Sequence, residues 1–219
     1  MKIFLDTDHP VALDSPDHTH PLGTRRDNYE NPVFNHHLFG LFDGRKPSVL
    51  DFGCAGGAMV RSLIDDGCLA IGLDGSDYNL KAQNAEWGKI PDNLLTCDLG
   101  FPFTLSNGDG EPFEFDVITA WEFVEHLPED RLPAMMDNIK RHLKIGGLVI
   151  GSSVTFQSTA YGLEYHQTMN DLEWWEDLFK SHGFIHRTDL LQHFDIVEAW
   201  VRRVDFNFVF KKIGKYGNN

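Results

Sequence analysis

The stretch Val49-Leu50-Asp51-Phe52-Gly53-Cys54-Ala55-Gly56-Gly57 constrains this chain more than any other part of it. A short apolar run passes directly into a turn of small residues, and a helical pattern follows. Residues without bulk let a ligand lie against the backbone, and the start of a helix offers N–H groups that have no intrahelical partner. The next apolar run, Leu69-Ala70-Ile71-Gly72-Leu73, ends in Asp74, 23 residues after Asp51. A carboxylate at the tip of a second strand is placed to accept both hydroxyls of a ribose. Taken singly, the glycine turn is also a plain tight connection, and Asp74 is also a helix cap. Taken together they favour a nucleoside.

The rest of the chain repeats the same order of short apolar run and helical period. Ser48 to Phe52 reads as a strand. The helix after it, from Gly56 to Asp66, carries Met59, Val60, Leu63 and Ile64 on one side and stops at Gly67. A second helix is expected over Asp77 to Trp87, a third strand near Leu94-Leu95-Thr96 and a fourth over Phe115 to Ala120. Leu132, Met135, Met136, Ile139 and Leu143 follow a 3.6-residue period closed by Gly146-Gly147, before a fifth strand over Leu148 to Ser152. Asn170 with Glu173 predicts a capping box for a helix to His182, ended by Gly183. The alternation from Val204 to Phe210 predicts an antiparallel edge strand. Repeated β-then-α order gives an α/β, doubly wound, mostly parallel Rossmann-like sheet of seven strands with the last antiparallel. Ligands bind such sheets at the carboxyl ends of the strands.

Residues 1–46 differ from the remainder. They hold Pro10, Pro16, Pro21 and Pro32 and five of the eleven histidines, and no period persists before Asn31 to Phe42, where Val33, Phe34, His37, Leu38 and Leu41 fit one helix face. The expected organisation is an arm with a short helix (1–46) acting as a lid over a single ligand-binding domain (47–219). Asp6, Asp8, His9, His18 and His20 have metal-compatible chemistry but no recognised ligand spacing, so no metal is expected.

Composition narrows the partners. Nineteen Lys and Arg against 33 Asp and Glu leave a net charge of −14, a poor match for nucleic acid or an anionic membrane. Three cysteines without a C-x-x-C pair argue against disulfide or zinc scaffolds. No apolar run suggests a signal peptide or membrane span, which sets a cytoplasmic expectation, with a monomer or homodimer as the default assembly.

A third carboxylate, Asp98, follows the third strand, where it can accept from an adenine amino group with Cys97 and Leu99 flanking the ring. The dinucleotide fingerprint would need glycine at positions 53, 55 and 58; the chain has Gly53, Ala55 and Ala58, so a pyrophosphate fits poorly. The glycine loop, the acid at 74 and the acid at 98 together resemble the class I S-adenosylmethionine-dependent methyltransferases. The segment from Phe115 through Trp121-Glu122-Phe123-Val124-Glu125-His126-Leu127 is similar to that family's fourth-strand motif. Leu143-Lys144-Ile145-Gly146-Gly147 is similar to its turn before the fifth strand, with Ile145 in place of proline. The resemblance covers roughly residues 45–155. It implies S-adenosyl-L-methionine as cofactor, with its methionine part against Gly53, Cys54, Ala55 and Gly57 and its amino group near Asp51. It further implies ribose hydroxyls on Asp74 beside Gly75, adenine at Cys97, Asp98 and Leu99, and the sulfonium near Ala120 and Trp121.

The resemblance implies methyl transfer to an oxygen or nitrogen, and the Tyr165-His166-Gln167 segment favours a small polar metabolite such as a sugar or natural-product intermediate. His166, His126, Glu122 and Glu125 are the candidate general bases; Glu122 and Glu125 also read as structural acceptors or substrate contacts. Two rivals share the fold: an NAD(P)-dependent oxidoreductase and a non-catalytic adenosyl-ligand-binding partner subunit.

Overall fold

Apolar runs that do not alternate form strands buried on both faces. The computed structural model describes residues 1–108, 110–194 and 205–214. A ribbon pairs β1 (Phe4–Asp6) with β5 (Thr104–Ser106). The main sheet contains β2 (Val49–Phe52), β3 (Ala70–Asp74), β4 (Leu94–Thr96), β6 (Phe115–Trp121), β7 (Leu143–Ser153), β10 (Phe184–His186) and β11 (Phe206–Lys212), and β8 (Thr159–Ala160) with β9 (Leu163–Glu164) forms a small hairpin. Its order is β10-β11-β7-β6-β2-β3-β4, parallel from β7 to β4, with β11 antiparallel to both neighbours. Every residue of β2 and β3 is buried, as a sheet covered on both sides requires.

Successive residues of a strand face opposite ways, and they fall into two separate cores. Leu50, Phe52, Ile71, Leu73 and Ile118 meet α5 (Leu132–His142) and α6 (Leu172–Ser181) through Met135, Met136, Trp175 and Phe179. Val49, Ala70, Val117 and Ile150 meet α2 (Pro32–Leu41) and α3 (Ala58–Asp65) through Phe34, Leu38, Val60 and Leu63. Three short α-helices, α1 (Pro16–Thr19), α4 (Tyr78–Ala82) and α7 (Thr188–Leu191), and two 3₁₀ turns, Val124–His126 and Glu129–Arg131, complete the described chain.

Several expectations are corrected in detail. The helix expected over Asp77 to Trp87 stops at Ala82, because Gln83 and Ala85 take left-handed backbone (φ 50° and 51°). The α6 cap is Asp171, whose carboxylate accepts from the Trp174 N–H at 3.0 Å, in place of Asn170. The Gly146-Gly147 pair does not separate α5 from its strand. It forms a bulge inside β7, where a Cβ on Gly147 would stand 2.8 Å from the Asp116 carbonyl oxygen. The final strand is antiparallel as expected but lies one position in from the edge, with β10 outside it, so that Phe208 and Phe210 are both buried. Val204 lies outside the described residues.

The first 46 residues cross the carboxyl ends of the central strands. The Asp98 N–H donates to the His9 carbonyl (2.9 Å), Ala12 N–H to the Gly75 carbonyl (2.8 Å) and Gly56 N–H to the Asp27 carbonyl (2.8 Å). No helix among the described residues is long and apolar enough to cross a membrane.

Candidate active site

Between this N-terminal segment and the tips of β2, β3, β4 and β6 lies a cavity of about 810 Å³. Three carboxylates from consecutive strand ends face it: Asp51, Asp74 and Asp98. Asp74 is buried and held on both oxygens: Oδ2 accepts from Ala55 N–H (2.8 Å), and Oδ1 from Ser76 N–H (2.8 Å) and the Thr24 hydroxyl (3.2 Å). Burial pushes its pKa up to about 6 against the pull of those donors. Asp51 accepts from the Thr119 hydroxyl at 2.6 Å through Oδ1, and burial raises it to about 7. Asp98 accepts from Gly100 N–H at 2.9 Å; burial raises it, while Arg131 opposes the shift.

Gly53, Cys54, Ala55, Gly75, Leu99 and Trp121 also line the cavity. Gly53 has φ 74°, and a Cβ there would come within 2.8 Å of the Phe123 ring. Ala55 adopts φ 44° without being glycine, and its carbonyl is fixed by Trp87 Nε1–H (2.8 Å) and the Asn79 amide (3.2 Å). Three expected contacts are not part of the wall. Gly57 packs under the loop, where a Cβ would meet Leu94 at 2.5 Å, and Cys97 and Ala120 turn into the core. Cys97 Sγ instead approaches the Thr7 hydroxyl at 4.0 Å.

The helix start is not open to a phosphate. Gly56 N–H is taken by Asp27, and Ala58 N–H by the Asn28 side chain at 3.0 Å. With those donors occupied and three carboxylates facing the space, a pyrophosphate would meet repulsion where it needs N–H groups. A cationic ligand meets the reverse. S-adenosyl-L-methionine carries an ammonium and a sulfonium, and the donor set of the cavity fits it.

Glu122, His126 and Gln167 also line the cavity, together with Asp17, Asp27 and Tyr29 from the N-terminal segment. Glu122 has left-handed backbone (φ 45°), and its N–H is fixed by Ser152, 3.1 Å from the hydroxyl. Burial, with Glu125 adding, moves its carboxyl up to about 7. His126 Nδ1 lies 2.7 Å from Asp17 Oδ2. Burial opposes its charge, but Asp17 and the two glutamates outweigh it and raise the imidazole to about 9. Charged and paired in the ligand-free chain, His126 is not a ready base, which corrects the expectation that it takes a proton; only a cation that displaces the Nε2 proton would free that nitrogen. His166 is also corrected. It does not line the cavity; its ring is buried, its Nδ1 lies 2.6 Å from the Phe156 carbonyl, and burial lowers its pKa.

Sequence reasoning missed Asp17, Thr24, Asp27 and Arg131, which come from segments with no period to mark them. It also undervalued Glu125, which is fully buried with Oε2 on the Ser153 hydroxyl (3.2 Å) and Oε1 without a hydrogen-bond partner. Its position next to His126 was the available signal.

These features define an α/β fold with a crevice at the tips of its parallel strands, lined by three carboxylates. The sequence profile described as a methyltransferase domain matches residues 26–208, and the chain belongs to that family, the class I S-adenosylmethionine-dependent methyltransferases. The ubiquinone biosynthesis O-methyltransferase of Idiomarina loihiensis is 32% identical over 132 residues, covering 57% of this chain and 49% of the relative. The protein of the same name from Neisseria meningitidis serogroup C is 28% identical over 138 residues, covering 60% and 54%. The chain thus spans about half the length of the curated relatives it matches. Among solved structures, the S-adenosylmethionine-bound amino pentose methyltransferase CalS10 from Micromonospora echinaspora aligns with a TM-score of 0.57 at 16% identity, covering 89% of this chain and 95% of that one. An S-adenosylmethionine-dependent methyltransferase from Clostridium acetobutylicum aligns with a TM-score of 0.59 at 13% identity, covering 90% and 98%. Enzymes of this family take their methyl group from S-adenosyl-L-methionine.

Proposed function

We propose that the chain methylates a hydroxyl oxygen of a small polar molecule, with Glu122 receiving the proton that leaves the acceptor. The observation that carries this reading is that Asp51, Asp74, Asp98 and Glu122 open onto one cavity. The bound cofactor supplies a methyl group already activated by its sulfonium.

In this reading Asp74 accepts the two ribose hydroxyls, Asp51 faces the ammonium and Asp98 takes the adenine amino group. Trp121 closes the wall between the cofactor and the acceptor. Residues 1–46 act as a lid over the domain formed by 47–219, holding water away while the acceptor oxygen lines up behind the methyl carbon. A hydroxyl needs a base in hydrogen-bond reach, and Glu122 lines the cavity beside Trp121 with its carboxyl pushed up to about 7 by burial. The surrounding Gln167, Asp17, Asp27 and Tyr29 suit a sugar or another polar natural-product intermediate better than an apolar ring. The names of the curated relatives support an oxygen acceptor.

Incubation with methyl-labelled cofactor and fractionated metabolites, followed by mass spectrometry, identifies the acceptor. With that acceptor, Glu122→Gln is expected to lower kcat by about 10²–10⁴-fold while leaving affinity for S-adenosylhomocysteine unchanged. Full activity in Glu122→Gln would remove it from the reaction.

A further inference from the structure

We propose that Glu125, His126 and His166 bind a divalent transition-metal ion at the acceptor end of the cavity. The three residues come from two separate segments, the turn after β6 and the loop between β9 and α6. They bring one ligand atom each to within 4.8 Å of one another. An ion bound at about 2.0–2.2 Å draws such atoms to roughly 3–4 Å, so closure asks each side chain to move by about an ångström or less.

Three further observations point to an ion. Both imidazoles are oriented through Nδ1. His166 Nδ1 lies 2.6 Å from the Phe156 carbonyl, which can only accept, so that nitrogen carries the proton and Nε2 is left with its lone pair. His126 Nδ1 is fixed in the same way by the Asp17 carboxylate at 2.7 Å. A second acceptor behind each ring is the arrangement that orients metal-ligating histidines. The rings stand nearly perpendicular with centroids 5.0 Å apart.

Glu125 supplies the third observation. Its side chain is fully buried; Ser153 holds Oε2, and Oε1 has no hydrogen-bond partner. Buried carboxylate oxygens are rarely left without one, and a cation between this oxygen and two imidazoles would meet that need. The histidines of the N-terminal segment form no such cluster among the described residues, and His9 is instead stacked on Phe101 at 3.7 Å.

Two imidazoles and one carboxylate select an ion of the zinc, manganese or cobalt type over magnesium or calcium. Three protein ligands leave positions open. His126 lines the cavity, so those positions face the acceptor, and an acceptor bearing a metal-binding hydroxyl would be oriented there. This last step alone rests on the reading of the acceptor end given above; the ion site itself does not.

The test uses the full chain, stripped with a chelator and titrated with cobalt(II) chloride by visible absorption and with manganese(II) chloride by calorimetry. S-adenosylhomocysteine binding is followed in parallel. One equivalent of ion is expected, with affinity reduced about 100-fold or more in Glu125→Gln and in His166→Gln, and about 10-fold in Asp17→Asn. A His18→Gln/His20→Gln variant should bind as the parent does. Retained S-adenosylhomocysteine binding shows that each variant is folded; if Glu125→Gln is not, His166→Gln decides. No uptake by the parent chain, or undiminished uptake in the folded variants of Glu125 and His166, overturns the proposal. Failure of the parent to bind S-adenosylhomocysteine would count against the cofactor site and not against the ion.

Discussion

The two ends of the central sheet treat buried carboxylates in opposite ways. At the amino end of β6, Asp116 is surrounded by donors: Arg45 reaches it through two nitrogens (3.0 and 3.2 Å), Lys144 at 3.0 Å and Ser48 through both its N–H and its hydroxyl. Although burial opposes it, these partners hold its carboxyl well below the usual range. At the carboxyl end, burial raises Asp51 and Asp74, and only neutral groups donate to them. A carboxylate supplied with its own cations ties elements of the fold together. One kept buried beside a cavity without a cation is poised for a cationic ligand. The difference separates structure from function within a single sheet.

The largest effect that would expose this difference is at Asp74. Asp74→Ala strands three donors and removes the proposed ribose acceptor, and should weaken S-adenosylhomocysteine binding by about 10²–10³-fold in calorimetry. Unchanged affinity would make Asp74 a turn residue only. Asp116→Asn should do the converse, lowering fold stability by about 2–3 kcal/mol in denaturant melts while cofactor affinity holds.

Titration should divide the two ends next. Asp116 has a depressed folded pKa, so its stabilisation is present above the unfolded value near 4 and is lost as pH falls below it. Asp51 and Asp74 have raised folded values, about 7 and about 6, so the ligand-free fold loses stability as pH rises from the unfolded value near 4 up to those values. Ionised carboxylates suit a cationic cofactor. The thermal shift on adding S-adenosylmethionine should therefore be several degrees larger at pH 7.5 than at pH 5.5, roughly what 1 kcal/mol produces; an equal shift would mean that these groups do not face the ligand. The smallest effect belongs to Thr24→Val, which removes one donor from Asp74 and should alter cofactor affinity by about fivefold or less.

How much of this was readable beforehand follows the same division. The cofactor end is built where a strand stops, and strand ends carry sequence signals: an apolar run, a glycine, then an acid. That Asp51, Asp74 and Asp98 stand at strand tips on the cavity was legible for that reason. Gly57 and Cys97 belong to the same motifs yet face the core, because which way a residue points after a strand ends depends on packing against Leu94 and Thr7. The N-terminal segment gave less away. Thr24, Asp27 and Asn28 sit in a segment without period, and their roles arise from long-range contacts to Asp74, Gly56 and Ala58 that no local pattern encodes. His126 was visible as a titratable group, but its engagement with Asp17, 109 positions away, was not.

A crystal structure with S-adenosylhomocysteine gives the most direct answer. Ribose hydroxyls within hydrogen-bond distance of Asp74, the adenine beside Asp98 and the amino group facing Asp51 are the predicted result. A nucleoside bound elsewhere, or the same crevice filled by the N-terminal segment at saturating ligand, would contradict it.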